Sequence, residues 1–452
     1  MNIIIVGCGK IGISALESLL SEGHDITVIE KNESVLREVT DIYDVMGVCG
    51  NGTDCETLED AGIENAELFI AVMGSDELNM LSCFLAKKMG AKHTIARIRA
   101  PEYNDQSLGF MKQQLGISMT INPDLFAAQE LFNILQLPSA IKIETFSRRN
   151  FMMIEMKLKN DSVLDGITLR EMREKYRSKV LICALRRGDE VYIPDGSFVL
   201  KSGDTIGIMA SPYEIEKMLK SIGTLKKQAK NVMILGGSRT AYYLAKMLCE
   251  TGCSPKIIEL KADRCRELCE ELPKATVING DGAEQELLRE EGIDMLDAFV
   301  ALTGMDEENI LISIYAAKQK VPKVISKINR KELASLADEL GLDCYISPQN
   351  TVSDIVTRYA RALQNSLGSN VETLYKIMDS KAEALEFNVS PDTRLINIPL
   401  KNLNLKKNII IAGIIRGRKT IIPDGEDCIM QGDKVVVFAA RHRLQDLADI
   451  LA

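Results

Sequence analysis

The chain has 452 residues, 46% of them hydrophobic, and its 64 Asp and Glu against 55 Lys and Arg leave a net charge of -9. That length gives room for about three domains of roughly 150 residues, each with a sizeable core. The acidic balance argues against nucleic acid or anionic lipid as a direct partner. With no uninterrupted apolar run of about 18 residues and no charged-then-apolar leader, the expectation is a soluble, intracellular protein.

The first stretch, NIIIVGCGKIG (residues 2–12), runs a buried strand (Ile3, Ile4, Ile5, Val6) into Gly7, Gly9 and Gly12 and then into the amphipathic segment ISALESLLSEG. Each glycine has its own task in a dinucleotide-binding turn. Gly7 permits the turn, Gly9 lets the backbone approach a pyrophosphate, and Gly12 lets helix and strand pack closely. The helix that follows aims its free N–H groups at the phosphates. Glu30 closes the second apolar strand, DITVIE, where its carboxylate would accept bonds from the adenosine ribose hydroxyls. The competing reading is a glycine-rich structural turn, and the strand before, helix after and acid at the end of the next strand weigh against it.

A helix through SVLREVTDIYD follows, then the short strand VMGVCG, a helix restarting at Thr53, the strand and long helix of ELFIAVMGSDELNMLSCFLAKKMGA, and the strand HTIARIRA. Strands alternating with helices predict a parallel sheet covered on both faces, a Rossmann-like domain over residues 1–122. Pro123 opens PDLFAAQELFNILQLP, a helix whose wide apolar stripe (Leu125, Phe126, Leu131, Phe132, Leu135) suits either its own sheet or a crossover onto a neighbouring domain. From Ile141 to Ile222 the pattern is a small α+β module: FMMIEMKL a strand, VLDGITLREMREKY a helix, VLICALRRGDEVYIP a hairpin about Gly188, FVLKSGDTIGIMAS a strand pair, PYEIEKMLKSIG a helix. TLKKQAK (224–230) reads as a polar, basic linker.

The sequence then starts again. NVMILGGSRTA (231–241) repeats NIIIVGCGKIG 229 residues later, and Glu259 stands 229 after Glu30. FVALTGMDEENIL repeats FIAVMGSDELNML, KVISKINR repeats HTIARIRA, and IRGRKTIIPDG repeats LRRGDEVYIPDG. The chain is a tandem duplication: a Rossmann-like domain (1–122), a crossover helix and small α+β module (123–223), a second Rossmann-like domain (231–347) and a second crossover helix and module (348–452). The copies differ at the loop, where Gly236, Gly237, Ser238, Arg239, Thr240 and Ala241 stand for Gly7 to Gly12. Ser238 puts a Cβ where a pyrophosphate would approach, Arg239 adds a phosphate partner, and Lys327 replaces the forked donor Arg97.

The eleven cysteines are scattered without a CxxC. Cys249/Cys253 and Cys265/Cys269, four apart as on one helix face, read as buried reduced thiols rather than metal ligands. His24, His93 and His442 read as satisfied surface histidines. No cluster fits a proton donor and substrate pocket, so an NAD-dependent oxidoreductase is the weaker reading, and a redox-responsive regulator without a channel is a third. The small modules, with their PDG turns, suit sensing or association.

Over essentially its full length the chain resembles the TrkA family, carried by IIIVGCGKIG with VIEKN, AVMGSDELNM, ARIRAPEY, the two IPDG hairpins and the matching second set. The family is the NAD-binding regulatory subunit of bacterial Trk potassium uptake systems, built of two tandem RCK units, each an RCK-N followed by an RCK-C. The resemblance implies a first site with Gly7, Cys8, Gly9, Lys10 and Ile11 on the pyrophosphate, Glu30 on the ribose, Met73 and Gly74 under the cofactor and Arg97 nearby. It implies a second with Gly236, Gly237, Ser238, Arg239, Thr240, Glu259, Thr303 and Lys327. It further implies no enzymatic activity, NAD(H) with ADP or ATP as ligands, a homo-oligomeric ring, and a potassium-conducting Trk membrane subunit as partner, with the chain peripheral on the cytoplasmic face.

At the first site Glu30 would face a ribose 2′-phosphate with like charge, and only Lys31 follows it. NADH is therefore expected to bind there more tightly than NADPH; equal affinities in a calorimetric titration would overturn the assignment of Glu30 to the ribose.

Overall fold

The computed structural model describes residues 1–103, 105–146, 151–365, 371–379, 381–391, 393–444 and 446–452. The first Rossmann domain comprises β1 (Asn2–Val6), α1 (Lys10–Ser21), β2 (Asp25–Glu30), α2 (Glu33–Ile42), β3 (Met46–Cys49), α3 (Cys55–Asp60), β4 (Leu68–Ala71), α4 (Asp76–Lys88), β5 (His93–Arg97), α5 (Asp105–Leu115) and β6 (Met119–Ile121). Its strands lie parallel in the order β3-β2-β1-β4-β5-β6. Ile3 to Val6 and Leu68 to Ala71 are buried, as strands covered on both faces must be. Strand order reverses between β1 and β4, and beyond the carboxyl ends of those strands lies the crevice where such folds take ligands. The long helix α4 is set by local chemistry: Ser75 caps it, Asp76 and Glu77 sit in its first turn, and Lys87 and Lys88 in its last.

The helix α6 (Pro123–Gln136) leads to the first small module: β7 (Lys142–Phe146), β8 (Phe151–Lys157), α7 (Leu169–Tyr176), β9 (Leu181–Arg187), β10 (Glu190–Tyr192), β11 (Thr205–Ala210) and α8 (Pro212–Ser221). The sheet is antiparallel in the order β10-β9-β11-β8-β7. Two expectations are corrected here. The helix expected across VLDGITLREMREKY begins only at Leu169, because Gly166 is left-handed (φ +78) and Thr168 forms a capping box with Glu171. The strand pair expected in FVLKSGDTIGIMAS is a single strand, because the chain turns over Lys201–Asp204, where the Asp204 carboxylate takes both fork nitrogens of Arg187 (2.7 and 2.8 Å) and the amide of Lys201 (2.8 Å).

The second copy repeats the first. It has β12 (Val232–Leu235), α9 (Arg239–Glu250), β13 (Lys256–Glu259), α10 (Ala262–Glu271), β14 (Thr276–Asn279), α11 (Gln285–Glu290), β15 (Ala298–Ala301), α12 (Asp306–Lys318), β16 (Lys323–Lys327), α13 (Lys331–Glu339), β17 (Tyr345–Ile346) and α14 (Pro348–Asn365). The parallel order is again β14-β13-β12-β15-β16-β17. The second module holds β18 (Val371–Ile377), β19 (Ala382–Asn388), β20 (Ile409–Arg416), β21 (Lys419–Ile421) and β22 (Lys434–Ala440) in the mirrored listing β18-β19-β22-β20-β21. Arg416 and Asp433 repeat the Arg187–Asp204 fork at 2.9 and 2.8 Å. The end of this module is a 3₁₀ turn, Leu447–Ile450, and His442 bonds the Lys407 carbonyl at 2.9 Å.

Two compact units emerge, and they are not the two halves of the duplication. One is Met1–Gln129 with Ser347–Arg361; the other is Glu130–Ile346 with Ala362–Ala452. Within the first, the second copy's crossover helix α14 packs on the first Rossmann domain. Arg361 grips Glu22 through two bonds of 2.7 and 2.9 Å, Ser353 meets Ser14 at 2.7 Å, and Tyr359 stands edge-on to His93. Within the second unit the two small modules share one core in which Phe146 and Phe151 join Ile377, Ala384, Val436 and Phe438. The buried carboxylate of Glu155, its pKa raised by burial, accepts from the Met378 amide at 2.9 Å across that join. The expected linker 224–230 has no helix or strand and leaves Lys227, Gln228 and Lys230 exposed, but it is tied down at two points. Ala229 is buried and donates to the Leu135 carbonyl (3.1 Å), while Lys226 reaches the Pro322 carbonyl, and burial with Lys159 and Lys323 nearby pushes its ammonium pKa down to about 8.

His24 also departs from expectation. It is only 4% exposed, and neither ring nitrogen has a hydrogen-bond partner among the described residues. Burial chiefly, and then the positive Met1 amine and Arg361, lower its pKa from 6.5, against the opposing pull of Glu22 and Asp25. A lowered folded-state pKa means the unfolded chain takes up the proton first, so this contribution to stability is complete above about pH 6.5 and is lost as pH falls below it. Amide protection factors across residues 348–361, corrected for the intrinsic slowing of exchange in acid, are expected to fall between pH 7.5 and 5.5, and His24→Leu to blunt that change. An identical pH response in the variant would show that other groups cause it.

Candidate functional site

The first candidate site is built by the turn from β1 into α1. Gly7 has φ +98, and a Cβ there would stand 3.2 Å from the Met73 amide, so both conformation and space require glycine. Gly12 is tighter: a Cβ would lie 1.9 Å from the Gly7 carbonyl oxygen. Gly9 is different in kind. Its φ of -73 suits any residue, and a Cβ would meet nothing within 4 Å, so its glycine leaves an open face toward the crevice. The same is true of Gly74. α1 has no side-chain cap at Gly9, which leaves its leading amides and dipole end directed outward beside exposed Lys10 and half-buried Ile11.

Glu30 closes the loop from the side. One carboxylate oxygen accepts from the Cys8 amide (2.8 Å) and the other from the Asn32 amide (3.0 Å). Those bonds hold the carboxylate against the glycine turn, at the end of β2 where an adenosine ribose lies in this fold. Cys8 itself is buried, and desolvation with the adjacent Glu30 charge pushes its thiol up to about 12, so it is no nucleophile. Open space above Gly9 and Gly74, an uncapped helix start and a fixed carboxylate together fit a dinucleotide.

Behind the opposite wall stands a buried clamp that the sequence reading did not single out. Asn79 accepts from the Met73 amide (2.7 Å) and donates to the Met73 and Arg97 carbonyls (3.2 and 2.9 Å). Asp76 accepts from the Arg99 and Ala100 amides, both at 2.8 Å. Arg97 donates to the Met73 carbonyl, which makes it a brace of this loop. The repeat carried the signal: Asp306 and Asn309 stand in GMDEEN as Asp76 and Asn79 stand in GSDELN, and Asn309 bonds the Thr303 amide (2.9 Å) and the Lys327 carbonyl (3.0 Å) in the same way.

At the second loop Gly236 (φ +92) meets Leu302 and Thr303 as Gly7 meets Met73. Ser238 keeps the backbone conformation of Gly9 (φ -64, ψ 167) but caps α9, its Oγ accepting from the Ala241 amide at 3.3 Å. One leading amide is thus already engaged. Ala241 is fully buried, so this helix start cannot sit on its loop as closely as α1 does. Thr240 is buried beside it and Arg239 is exposed. Glu259 accepts from the Gly237 amide at 2.5 Å and the Lys261 amide at 2.8 Å. Thr303 bonds Asn309 (2.8 Å) and Glu308 (3.3 Å), a carboxylate at the mouth where the first copy has Leu78.

The TrkA-N domain model matches residues 3–123 and 232–348, and the TrkA-C domain model residues 153–223 and 384–452. The chain belongs to the TrkA family. It is 34% identical over 450 residues to the Trk system potassium uptake protein TrkA homolog of Archaeoglobus fulgidus, with all of both chains covered. It is 30% identical to the Trk system potassium uptake protein TrkA of Vibrio alginolyticus over 98% of this chain and 96% of the relative. Among solved structures, the GsuK RCK domain superposes with TM-score 0.64 over 97% of this chain and 92% of that one, at 17% identity. The GsuK channel bound to NAD gives 0.62 over 97% and 77%, also at 17%. At such identity the likeness is one of fold: two Rossmann-like RCK domains, each with its antiparallel module.

The geometry makes the two loops unequal in this family member. Loss of one free amide to Ser238 and a carboxylate at Glu308 each weaken a bound anion by roughly 1 kcal/mol, so dinucleotide affinity at the first site is expected to exceed that at the second by about tenfold or more. Gly12→Ala should erase much of the difference by forcing α1 off its loop. Calorimetry on the full chain resolves two affinities if this holds; a single class of equal sites would contradict it.

Proposed function

We propose that this chain is the nucleotide-binding regulatory subunit of a Trk-type potassium uptake system. The observation that carries the reading is the first loop: an uncapped α1, the open face at Gly9 and the Glu30 carboxylate, set at the switch point of a 3-2-1-4-5-6 sheet, with the sheet order and the carboxylate repeated in the second copy. In this reading Gly7, Cys8, Gly9, Lys10 and Ile11 hold the pyrophosphate of NAD(H), Glu30 the ribose, and Met73 and Gly74 lie under the cofactor, with Arg97 bracing them. Gly236 to Thr240, Glu259, Thr303 and Lys327 serve the second site, where ADP or ATP compete. Residues 1–122 and 231–347 are the nucleotide-binding domains, and 123–223 and 348–452 the association segments.

The chain itself carries out no chemistry. It assembles as a ring of RCK units on the cytoplasmic face of a potassium-conducting membrane subunit, and it reaches the membrane through that partner. Among the described residues no helix is long and apolar enough to cross a membrane. The names of its relatives and the fold shared with an NAD-bound channel support this assignment. Nucleotide shifts the ring between conformations only by as much as it binds one better than the other, about 1.4 kcal/mol for each tenfold difference in affinity.

Gly9→Asp places a carboxylate on the open face where the pyrophosphate would lie. The variant is expected to fold, to lose one NADH per chain in calorimetry, and to lose the NADH-dependent change in potassium flux when reconstituted with the membrane subunit. Unchanged stoichiometry would mean that the loop is only a turn, and steady NADH consumption by the wild-type chain would favour an oxidoreductase.

A further inference from the structure

The two copies differ at the adenosine end as well as at the phosphate loop. In the second copy Arg264, in the first turn of α10, donates through Nε to the Gly237 carbonyl (2.8 Å) and through Nη1 to Glu267 (2.7 Å), and its Nη2 has no partner among the described residues. Its side chain is 25% exposed, held between protein and crevice. Gly237 is thereby flanked by opposite charges: its amide donates to the Glu259 carboxylate and its carbonyl accepts from the Arg264 guanidinium. A Cβ at Gly237 would stand 2.8 Å from the Leu268 side chain and 2.9 Å from the Glu259 carboxylate, so glycine lets both sit close to the loop.

The first copy has no such cation. The residue matching Arg264 is Val35, and Arg37 further along α2 pairs with Glu33, both side chains largely exposed. Glu30 and Glu259 are otherwise equivalent, each with both oxygens occupied by backbone amides from the loop and from the start of the next helix. The ribose end of the first site therefore carries the Glu30 carboxylate followed only by exposed Lys31, and that of the second a carboxylate offset by a guanidinium with a free fork nitrogen. In dinucleotide folds an acid at this place serves a free ribose 2′-hydroxyl, and a nearby arginine accommodates a phosphate there.

We propose that Arg264 is a specificity-determining residue that lets the second site accept an adenosine ribose bearing a phosphate, the chemistry of NADP(H), which the first site rejects. The inference rests on both loops being nucleotide sites. Nε stays on Gly237 and keeps the guanidinium plane fixed, Nη2 and the edge of Nη1 turn to the phosphate, and Glu267 gives way as the better acceptor arrives. The chain would then read two dinucleotide pools, an unphosphorylated one through Glu30 and a phosphorylated one through Glu259 with Arg264.

The test is calorimetry on the full-length Gly9→Asp chain, in which only the second site is read, with NADH and NADPH, and with 5′-AMP against 2′,5′-ADP to isolate the adenosine end. Arg264→Ala is expected to weaken NADPH and 2′,5′-ADP at least tenfold while changing NADH and AMP less than threefold, and Arg264→Lys to restore part of the loss. In the converse experiment, Val35→Arg in the otherwise wild-type chain should raise NADPH affinity at the first site. An NADPH-to-NADH ratio unmoved by Arg264→Ala overturns the proposal. So does a second site that binds none of the four ligands, and in that case NADH binding by the wild-type chain leaves the broader reading standing. A wild-type chain that binds no nucleotide removes both.

Discussion

The carbonyl oxygen of Gly7 lies so close to the start of α1 that a single methyl on Gly12 would come within 1.9 Å of it. That contact sets the geometry of the first site. A helix pressed so closely on its strand directs its uncapped amides over the open face of Gly9 and lets the Glu30 carboxylate reach the Cys8 amide. The second copy has relaxed the same contact, with buried Ala241 in place of Gly12, and has filled the helix start with a serine cap. The two copies of one turn thus present different electrostatics, each to the crevice of its own domain.

α1 also joins two functions at its ends. Its N-terminus faces the crevice, and its C-cap residue Glu22 is gripped by Arg361 of α14, with side-chain exposures of 7% and 11%. A helix of twelve residues spans about 18 Å, so α1 alone separates the glycine loop from the α14 contact. The bidentate pair is mostly desolvated, and a buried pair of that kind holds one arrangement or breaks; it does not stretch. His24, buried without a hydrogen-bond partner among the described residues, adds a proton-sensitive element beside it. The first half of the duplication is therefore not a self-sufficient body, because residues 347–361 complete the first Rossmann domain.

The small modules depend on a different device. Each buries one aspartate, Asp204 or Asp433, under the fork of an arginine from the neighbouring strand, and each aspartate also takes a turn amide, Lys201 or Met430, at 2.8 Å. The bond ends the preceding turn and starts the last strand in the same step. The modules then pack face to face through Phe146, Phe151 and Phe438, with Glu155 bonded to the turn of the other module. Large aromatic burial supplies the adhesion, and the buried carboxylate fixes the register.

By itself the sequence determined the elements whose causes are local. Runs such as Ile3 to Val6 and Leu68 to Ala71, the glycine turns after β1 and β12, and the 229-residue repeat fix two parallel sheets and the place of their crevices, because strand period, turn conformation and repeat register are properties of neighbouring residues. Tertiary structure alone decided what depends on residues far apart in the chain. His24 looked like a surface residue until α14, more than three hundred residues away, brought Arg361 beside it; within the basic stretch 224–230, the bonds of Ala229 to Leu135 and of Lys226 to Pro322 had no local signal. Ser238 reads as an obstacle to a phosphate, and its role as helix cap depends on a rotamer. Asp204 reads as a turn residue, and its burial follows only once Arg187 from another strand arrives. Local pattern carries backbone conformation, whereas burial and charge pairing are fixed by partners that only the folded chain assembles.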